Sequence, residues 1–175
     1  MAAGTPDLPV TPVDGNVRID IVSAIANIKA PTLTELNATS NLNASCYTTA
    51  DSALIGIDQA TISVQLLCQT VDRNEPGRKT VTLGITAVDN TNNADVDEDS
   101  NAFAELVLEG DVFYYVERRN KAWDAPYAAD DEVYIVKFKA GQKTYLQPEA
   151  NSYSRAAFNT FVQDFAGPVK VVAGS

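Results

Sequence analysis

The residue types that support most enzymatic chemistry are missing or scattered in this sequence. Histidine is absent, which removes the usual general base and the Ser-His-Asp triad. Cys46 and Cys68 have neither CxxC spacing nor a histidine partner, so they do not indicate a zinc site. We interpret them as small buried apolar side chains, with a disulfide between neighbouring strands as the alternative. The sequence predicts no catalytic residue, no metal and no cofactor, and therefore a protein that is not an enzyme.

An acidic cluster between residues 95 and 99 is the closest approach to a metal-binding motif. It contains Asp95, Asp97, Glu98 and Asp99. An EF-hand loop starting at Asp95 would need glycine where Ser100 stands and glutamate where Leu106 stands. The pattern therefore favours a solvated loop, with an irregular calcium site as the alternative.

A basic and aromatic cluster contains Arg118, Arg119, Lys121 and Trp123. Such a patch can bind sugar or nucleic acid. The net charge of −10 disfavours nucleic acid, because binding to phosphates relies on Lys and Arg. Arg, Tyr and Trp are enriched in protein interfaces. We therefore predict a subunit interface that includes Arg118, Arg119 and Trp123.

Period-two alternation of apolar and polar residues predicts the strands that must position these residues. The clearest example is a hairpin over residues 60–88, with its turn at Glu75-Pro76-Gly77-Arg78. Its predicted polar face consists of Thr61, Ser63, Gln65, Thr80, Thr82 and Thr86. Further strands are expected over residues 17–25, 112–119, 132–139, 143–146, 156–165 and 169–172.

The remaining segments predict little helix. Residues 31–37 favour a short helical turn and residues 101–108 a flanking α-helix that ends at Gly110. Residues 39–59 are expected to be a long loop with at most a short strand. The predicted fold is mainly β, an antiparallel sandwich or barrel with one flanking α-helix. Residues 1–16 are expected to form an extended arm and residues 17–175 a single domain, without a signal peptide or membrane span.

Four segments together resemble the major tail tube proteins of siphophages, in particular those of actinobacteriophages. The first is residues 25–37, which end in Pro31-Thr32-Leu33-Thr34-Glu35-Leu36-Asn37. The others are Cys46-Tyr47-Thr48-Thr49-Ala50-Asp51, Leu67-Cys68 leading into Glu75-Pro76-Gly77-Arg78, and Pro148-Glu149-Ala150-Asn151. No family motif lies in residues 89–100.

The resemblance implies a β-sandwich subunit that assembles into hexameric rings, which stack into a tube for genome delivery. The long hairpin would contribute to an inner β-barrel, and loops and terminal arms would join the rings. A tape measure protein and a tail terminator are the implied partners, and DNA would pass without specific binding. The expected location is the virion tail, assembled in the host cytoplasm without a membrane.

Within that assembly, the polar face of the hairpin is the candidate lumen surface. The acidic candidates for the lumen or the ring interface are Asp72, Glu75, Asp95, Asp97, Glu98 and Asp99. Two other functions remain open at this point. One is a neck or tail-terminator protein that forms a single ring, and the other is a carbohydrate-binding β-sandwich module that uses Trp123.

Overall fold

The computed structural model describes residues 10–68, 70–71, 73–90 and 109–174. Its strands are β1 (Val17–Val22), β2 (Leu42–Asn43), β3 (Thr48–Val64), β4 (Arg73–Val88), β5 (Val112–Arg119), β6 (Glu132–Tyr145) and β7 (Arg155–Lys170). One short helix, α1 (Leu33–Leu36), lies among the described residues. None of the helices in this part of the chain is long and apolar enough to cross a membrane.

The strands form a seven-stranded sheet in the order β2-β1-β5-β6-β7-β4-β3. Strand β1 pairs antiparallel with β2 and β5, and β4 pairs antiparallel with β3 and β7. The prediction of a mainly β, antiparallel fold is confirmed. Strand β3, which has 17 residues, is an edge strand of this sheet.

The chain forms two compact units. The first comprises the described residues within Met1–Ser45, Tyr114–Ile135 and Ala166–Ser175. Its apolar core contains Val22, Ile25, Ile28, Leu36, Val116, Tyr127, Val133, Ile135, Ala166 and Val171. Val133 and Ile135 alternate along β6, and the other members come from β1, β5, β7, α1 and the connecting segments. Burial of these apolar side chains stabilises the unit.

The second unit comprises the described residues within Cys46–Phe113 and Val136–Phe165. Its buried apolar residues include Leu83, Ile85, Ala87, Phe113, Phe138, Ala156 and Phe158. The rings of Phe113 and Phe138 pack with their centroids 6.2 Å apart, within the range that favours aromatic pairs. The prediction of a single domain over residues 17–175 stays a prediction.

Helix α1 is defined by a capping box. The Thr32 hydroxyl accepts a hydrogen bond from the Glu35 amide, and a Glu35 carboxylate oxygen accepts one from the Thr32 amide at 2.9 Å. The other Glu35 oxygen accepts from the Ala26 amide at 2.8 Å. Burial alone would raise the pKa of Glu35, but these backbone hydrogen bonds and the Thr32 hydroxyl lower it. The helical turn was predicted, although Pro31 precedes the capping residue instead of starting the helix.

Several boundaries differ from the prediction. Strand β3 begins at Thr48, so the long loop predicted over residues 39–59 is wrong for much of its length. Two segments predicted as separate strands, residues 132–139 and 143–146, form the single strand β6 up to Tyr145. The predicted strand over residues 169–172 is partly the end of β7. The helix predicted over residues 101–108 lies outside the described residues.

Candidate assembly surfaces

The β3–β4 hairpin is longer than predicted and turns at a different place. Its strands pair from Thr48↔Ala87 to Val64↔Arg73. The segment Glu75-Pro76-Gly77-Arg78 was predicted as the turn, but it lies inside β4. Four β4 residues, Pro76 to Lys79, lie opposite three β3 residues, Gln59 to Thr61. That difference of one residue is a β-bulge, a feature that uses the same residue types as a turn.

The register divides the predicted polar face of the hairpin between two faces. Directly opposite residues in an antiparallel pair point to the same side. Thr80 lies opposite Asp58 and Thr82 opposite Gly56, so they share what we call the Thr82 face, together with Thr86. Thr61 and Ser63 are odd-numbered like Ile57, which lies opposite Val81, and they share the Leu83 face. The prediction of one common polar face is therefore wrong, and Gln65 lies just beyond the end of β3.

The apolar side chains of the hairpin also change face along its length. Near the base, Leu83 and Ile85 on the Leu83 face are buried. Near the tip, Ile62 and Val64 lie on the Thr82 face and are exposed, Ile62 to 51%. Leu66, Leu67 and Val71 in the connecting segment are exposed as well. The base is therefore stabilised by its own chain, whereas the tip presents apolar surface to solvent.

The bulge in β4 requires glycine. A Cβ atom on Gly77 would lie 2.8 Å from the carbonyl oxygen of Ala60 on the opposite strand. A backbone atom cannot move aside as the end of a flexible side chain can. Gln59 donates a hydrogen bond to the Gly77 carbonyl at 3.3 Å, which ties the two strands at the bulge. The geometry of the tip thus depends on this residue.

Of the six predicted acidic surface residues, only Glu75 lies among the described residues. Asp72, Asp95, Asp97, Glu98 and Asp99 lie outside the described residues. Glu75 is exposed and forms an ion pair with Arg73 at 3.0 Å. It lies opposite Ile62, on the tip of the Thr82 face. Its role at the lumen or the ring interface stays a prediction.

Arg118, one of the three predicted interface residues, is 1% exposed and lies inside the first unit. Its guanidinium binds the loop that follows β5 and the carboxylate of Asp131. It therefore cannot contact a partner through its own side chain. The arginine was placed at an interface because the sequence pattern of a strand end does not distinguish a buried guanidinium from an exposed one. Arg119 and Trp123 are exposed, and their interface role stays a prediction.

Tyr127 lies between two arginines that face each other across β1 and β5. The guanidinium carbons of Arg18 and Arg118 are 4.9 and 5.0 Å from the centroid of its ring, within cation–π range. Burial, together with the Asp20 carboxylate, raises the pKa of Tyr127 well above its ordinary value. The hydroxyl therefore stays protonated and donates to Asp20 Oδ2 at 2.6 Å.

Asp131, which is buried, and Asn37, at the edge of the unit, complete this network. Burial alone would raise the pKa of Asp131, but hydrogen bonds from Lys121 and the Ala128 amide lower it, as do the charges of Lys121 and Arg118. Asn37 accepts from the Tyr127 amide at 2.9 Å and donates to the Tyr127 carbonyl at 3.0 Å. Sequence reasoning missed the network, although its signal was present in the aspartate within the apolar run of β1.

Cys46 and Cys68 are both exposed free thiols, so the prediction that they are buried is wrong. Among the described residues, no group of three or more His, Cys, Asp or Glu side chains is arranged to hold a metal ion. In the described part of the chain, the features with functional potential are the surfaces of the β3–β4 hairpin and the loop after β5, which the buried Arg118 holds in place.

The sequence model of a family described as phage tail tube protein matches residues 5–175. The chain belongs to the phage tail tube protein family. That family is structural, so this tail tube protein is not an enzyme. Membership implies oligomeric assembly in a tube and a place in the virion tail. No curated protein matches the sequence.

The segments that suggested this family have structural roles in the chain. Glu35 and Thr32 define α1, and Asn37 fixes the backbone of Tyr127. Gly77 permits the bulge in the long hairpin. In this tail tube protein, the described residues of these motifs shape the subunit and its hairpin.

Proposed function

We propose that this chain is the major tail tube subunit of a siphovirus. Six copies form a ring, and stacked rings form the conduit through which the genome is delivered. The tube grows along a tape measure protein and ends at a tail terminator, after assembly in the host cytoplasm. DNA passes through the lumen without specific binding.

The exposed tip of the β3–β4 hairpin is the observation that carries this proposal. Ile62 and Val64 are exposed there, although they are β-branched residues of the type that strands bury. A two-stranded hairpin alone is marginally stable in water. In a ring, hairpins of neighbouring subunits pair and close into an inner barrel, which covers the long edge of β3.

The Thr82 face near the base of the hairpin is the best candidate for the lumen. Thr80 and Thr82 are exposed and Thr86 is partly exposed, so the surface is rich in hydroxyl groups, and exposed Asp58 lies beside Thr80. These side chains do not attract phosphate, and the net charge of −10 adds general repulsion of DNA. The register supports this set of three over Thr61 and Ser63, which lie on the other face.

Electron microscopy of the purified protein tests the assembly. Hollow tubes with a regular axial repeat and sixfold rings are the expected result. Isolated rings that never stack would contradict the tube and favour a tail-terminator role. Rings with a different number of subunits would contradict the hexamer alone.

Thiol labelling tests the lumen assignment. Thr82→Cys and Thr61→Cys are made in a background in which Cys46 and Cys68, both exposed, are replaced by serine. A maleimide attached to a polymer too large to enter the tube is added to monomers and to tubes. We expect assembly to protect Cys at position 82 from the bulky reagent while a small maleimide still labels it. Equal labelling by both reagents would place this face outside the lumen.

A further inference from the structure

The loop between β5 and β6, residues 120–131, is organised by the buried Arg118. The four terminal N–H groups of the Arg118 guanidinium donate hydrogen bonds to four acceptors within the first unit. Nη1 donates to the Pro126 carbonyl at 2.8 Å and to Asp131 Oδ2 at 3.2 Å. Nη2 donates to the carbonyls of Ala122 and Ala125 at 2.8 and 2.9 Å. A lysine has three N–H groups and cannot satisfy this set.

Trp123 lies in this loop with its backbone fixed on two sides. Its amide donates to the Gly15 carbonyl at 3.0 Å, and its carbonyl accepts from Asn43 Nδ2 at 3.3 Å. The Arg118 contacts to Ala122 and Ala125 lie immediately before and two residues after it. The residue is nevertheless 39% exposed. A tryptophan whose backbone is held in place and which is left partly in water is typical of an interface anchor, because less conformational entropy is lost on binding.

Burial of an arginine and an aspartate is a poor way to gain stability, because both charges lose their hydration. The best supported use of such a pair is to specify one conformation. We propose that Arg118 is a positioning residue that presents Trp123 for contact with a second copy of this chain. The inference rests on the proposed function, since it assigns a surface and a positioning device to the same assembly.

The family indicates a second copy as the occupant of this surface, because membership implies oligomeric assembly in a tube. Arg119 and Lys121, at the start of the loop, are ion-paired within the chain to Glu117 and Asp131. Apolar contact through the partly exposed Trp123, and not net charge, is therefore what this surface offers a neighbour. Val10 and Val13, on the segment tied to Trp123 through Gly15, add exposed apolar surface.

Trp123 is the only tryptophan in the chain, so its emission reports on this loop directly. The Arg118→Lys variant is compared with wild type, both as a monomer and in assembly. In the variant monomer we expect lower fluorescence anisotropy of Trp123, because the loop is held less firmly. We also expect the critical concentration for tube formation to rise by about tenfold. The matched control is Asp130→Asn, which removes an exposed charge from the same loop and keeps a residue type that tolerates its positive φ. It should match wild type in both measurements.

Two further variants test the proposal if Arg118→Lys does not fold. Asn43→Asp keeps the acceptor for the Ser45 amide but loses the donor to the Trp123 carbonyl. Trp123→Ala removes the exposed anchor itself. Both should fold, and both should raise the critical concentration, Trp123→Ala by the larger factor. In wild type, acrylamide quenching of Trp123 should fall on assembly.

The outcomes separate the inference from the proposed function. Normal tubes from Trp123→Ala, or quenching that does not change on assembly, would overturn the inference and leave the tube intact. Binding of a DNA duplex or a glycan that quenches Trp123 in the monomer, with no effect of its substitution on tubes, would also overturn it. A wild type that never forms tubes or rings would contradict the proposed function.

Discussion

The β5–β6 connection and the tip of the β3–β4 hairpin differ in whether their side chains find contacts within the chain. The connection, residues 120–131, is held by buried charges within its own unit, Arg118 above all. The hairpin tip has paired strands, yet its Ile62 and Val64 are exposed. The conformation of the first segment is fixed by polar contacts within the chain, whereas the second has a row of apolar side chains left for a neighbour.

This difference separates two kinds of role in an assembling subunit. A segment whose polar groups are satisfied internally has one conformation before it meets a partner, so binding costs little ordering. A segment with exposed apolar surface gains its burial from the partner. Substitutions among the buried charges that hold the first segment should lower the stability of the monomer, and substitutions of the exposed apolar residues of the second should affect assembly alone.

The largest expected effect comes from Asp131→Asn. This change leaves the charge of Arg118, which is 1% exposed, without its ionic partner. We expect a loss of about 4 kcal/mol in the free energy of unfolding, since breaking a buried pair on one side costs more than the pair contributes. Urea denaturation of the monomer measures it. Asp130→Asn is the control, and a similar loss there would contradict the assignment.

The second effect concerns the base of the hairpin. Ile85 is 2% exposed on the Leu83 face, so Ile85→Ala should cost about 3 kcal/mol by removing buried apolar atoms and leaving a cavity. The same denaturation measurement checks it. A cost below about 1 kcal/mol, which is the range for exposed sites, would mean that the base is not anchored by its own chain.

The sequence pattern predicted the strands whose apolar residues signal burial, and this explains where it succeeded. Strand β5 was predicted with its observed bounds, Val112–Arg119, because its apolar residues signal burial. The start of β3 was missed because the strand carries polar residues such as Asp58 and a glycine, Gly56, along an exposed edge. Its strand structure comes from pairing with β4, which is a long-range property.

The candidate surfaces were predicted only in outline for the same physical reason. Thr80 and Thr61 both read as polar strand residues, but the bulge and the register decide which face each one occupies. Arg118 reads as exposed because arginine rarely lies buried without partners. Its acceptors are mostly backbone carbonyls of the next loop. Every residue has such a carbonyl, so the sequence does not indicate which of them accept a hydrogen bond.

The third expected effect is a loss of monomer stability in acid that depends on Asp131, in the connection between β5 and β6. The pKa of Asp131 is lowered in the folded state, so its contribution is fully present above its ordinary pKa of about 3.9. That contribution is lost as the pH falls through the lower, folded value. Glu35 behaves in the same way. Asp131→Asn should therefore flatten the dependence of unfolding free energy on pH below about 4; an unchanged slope would assign the acid sensitivity to other carboxylates.

The smallest expected effect on the monomer is at the hairpin tip, where Ile62→Ser should change the free energy of unfolding by no more than about 0.5 kcal/mol. Ile62 is 51% exposed, so the isolated chain gains little from its burial. Tube formation should nevertheless weaken, because serine presents less apolar surface to a neighbour. Denaturation and the critical concentration for tubes are measured side by side, with Thr61→Ser, on the opposite face, as control. A large loss of monomer stability would mean that the chain itself covers the tip, and the contrast between the two segments would then fail.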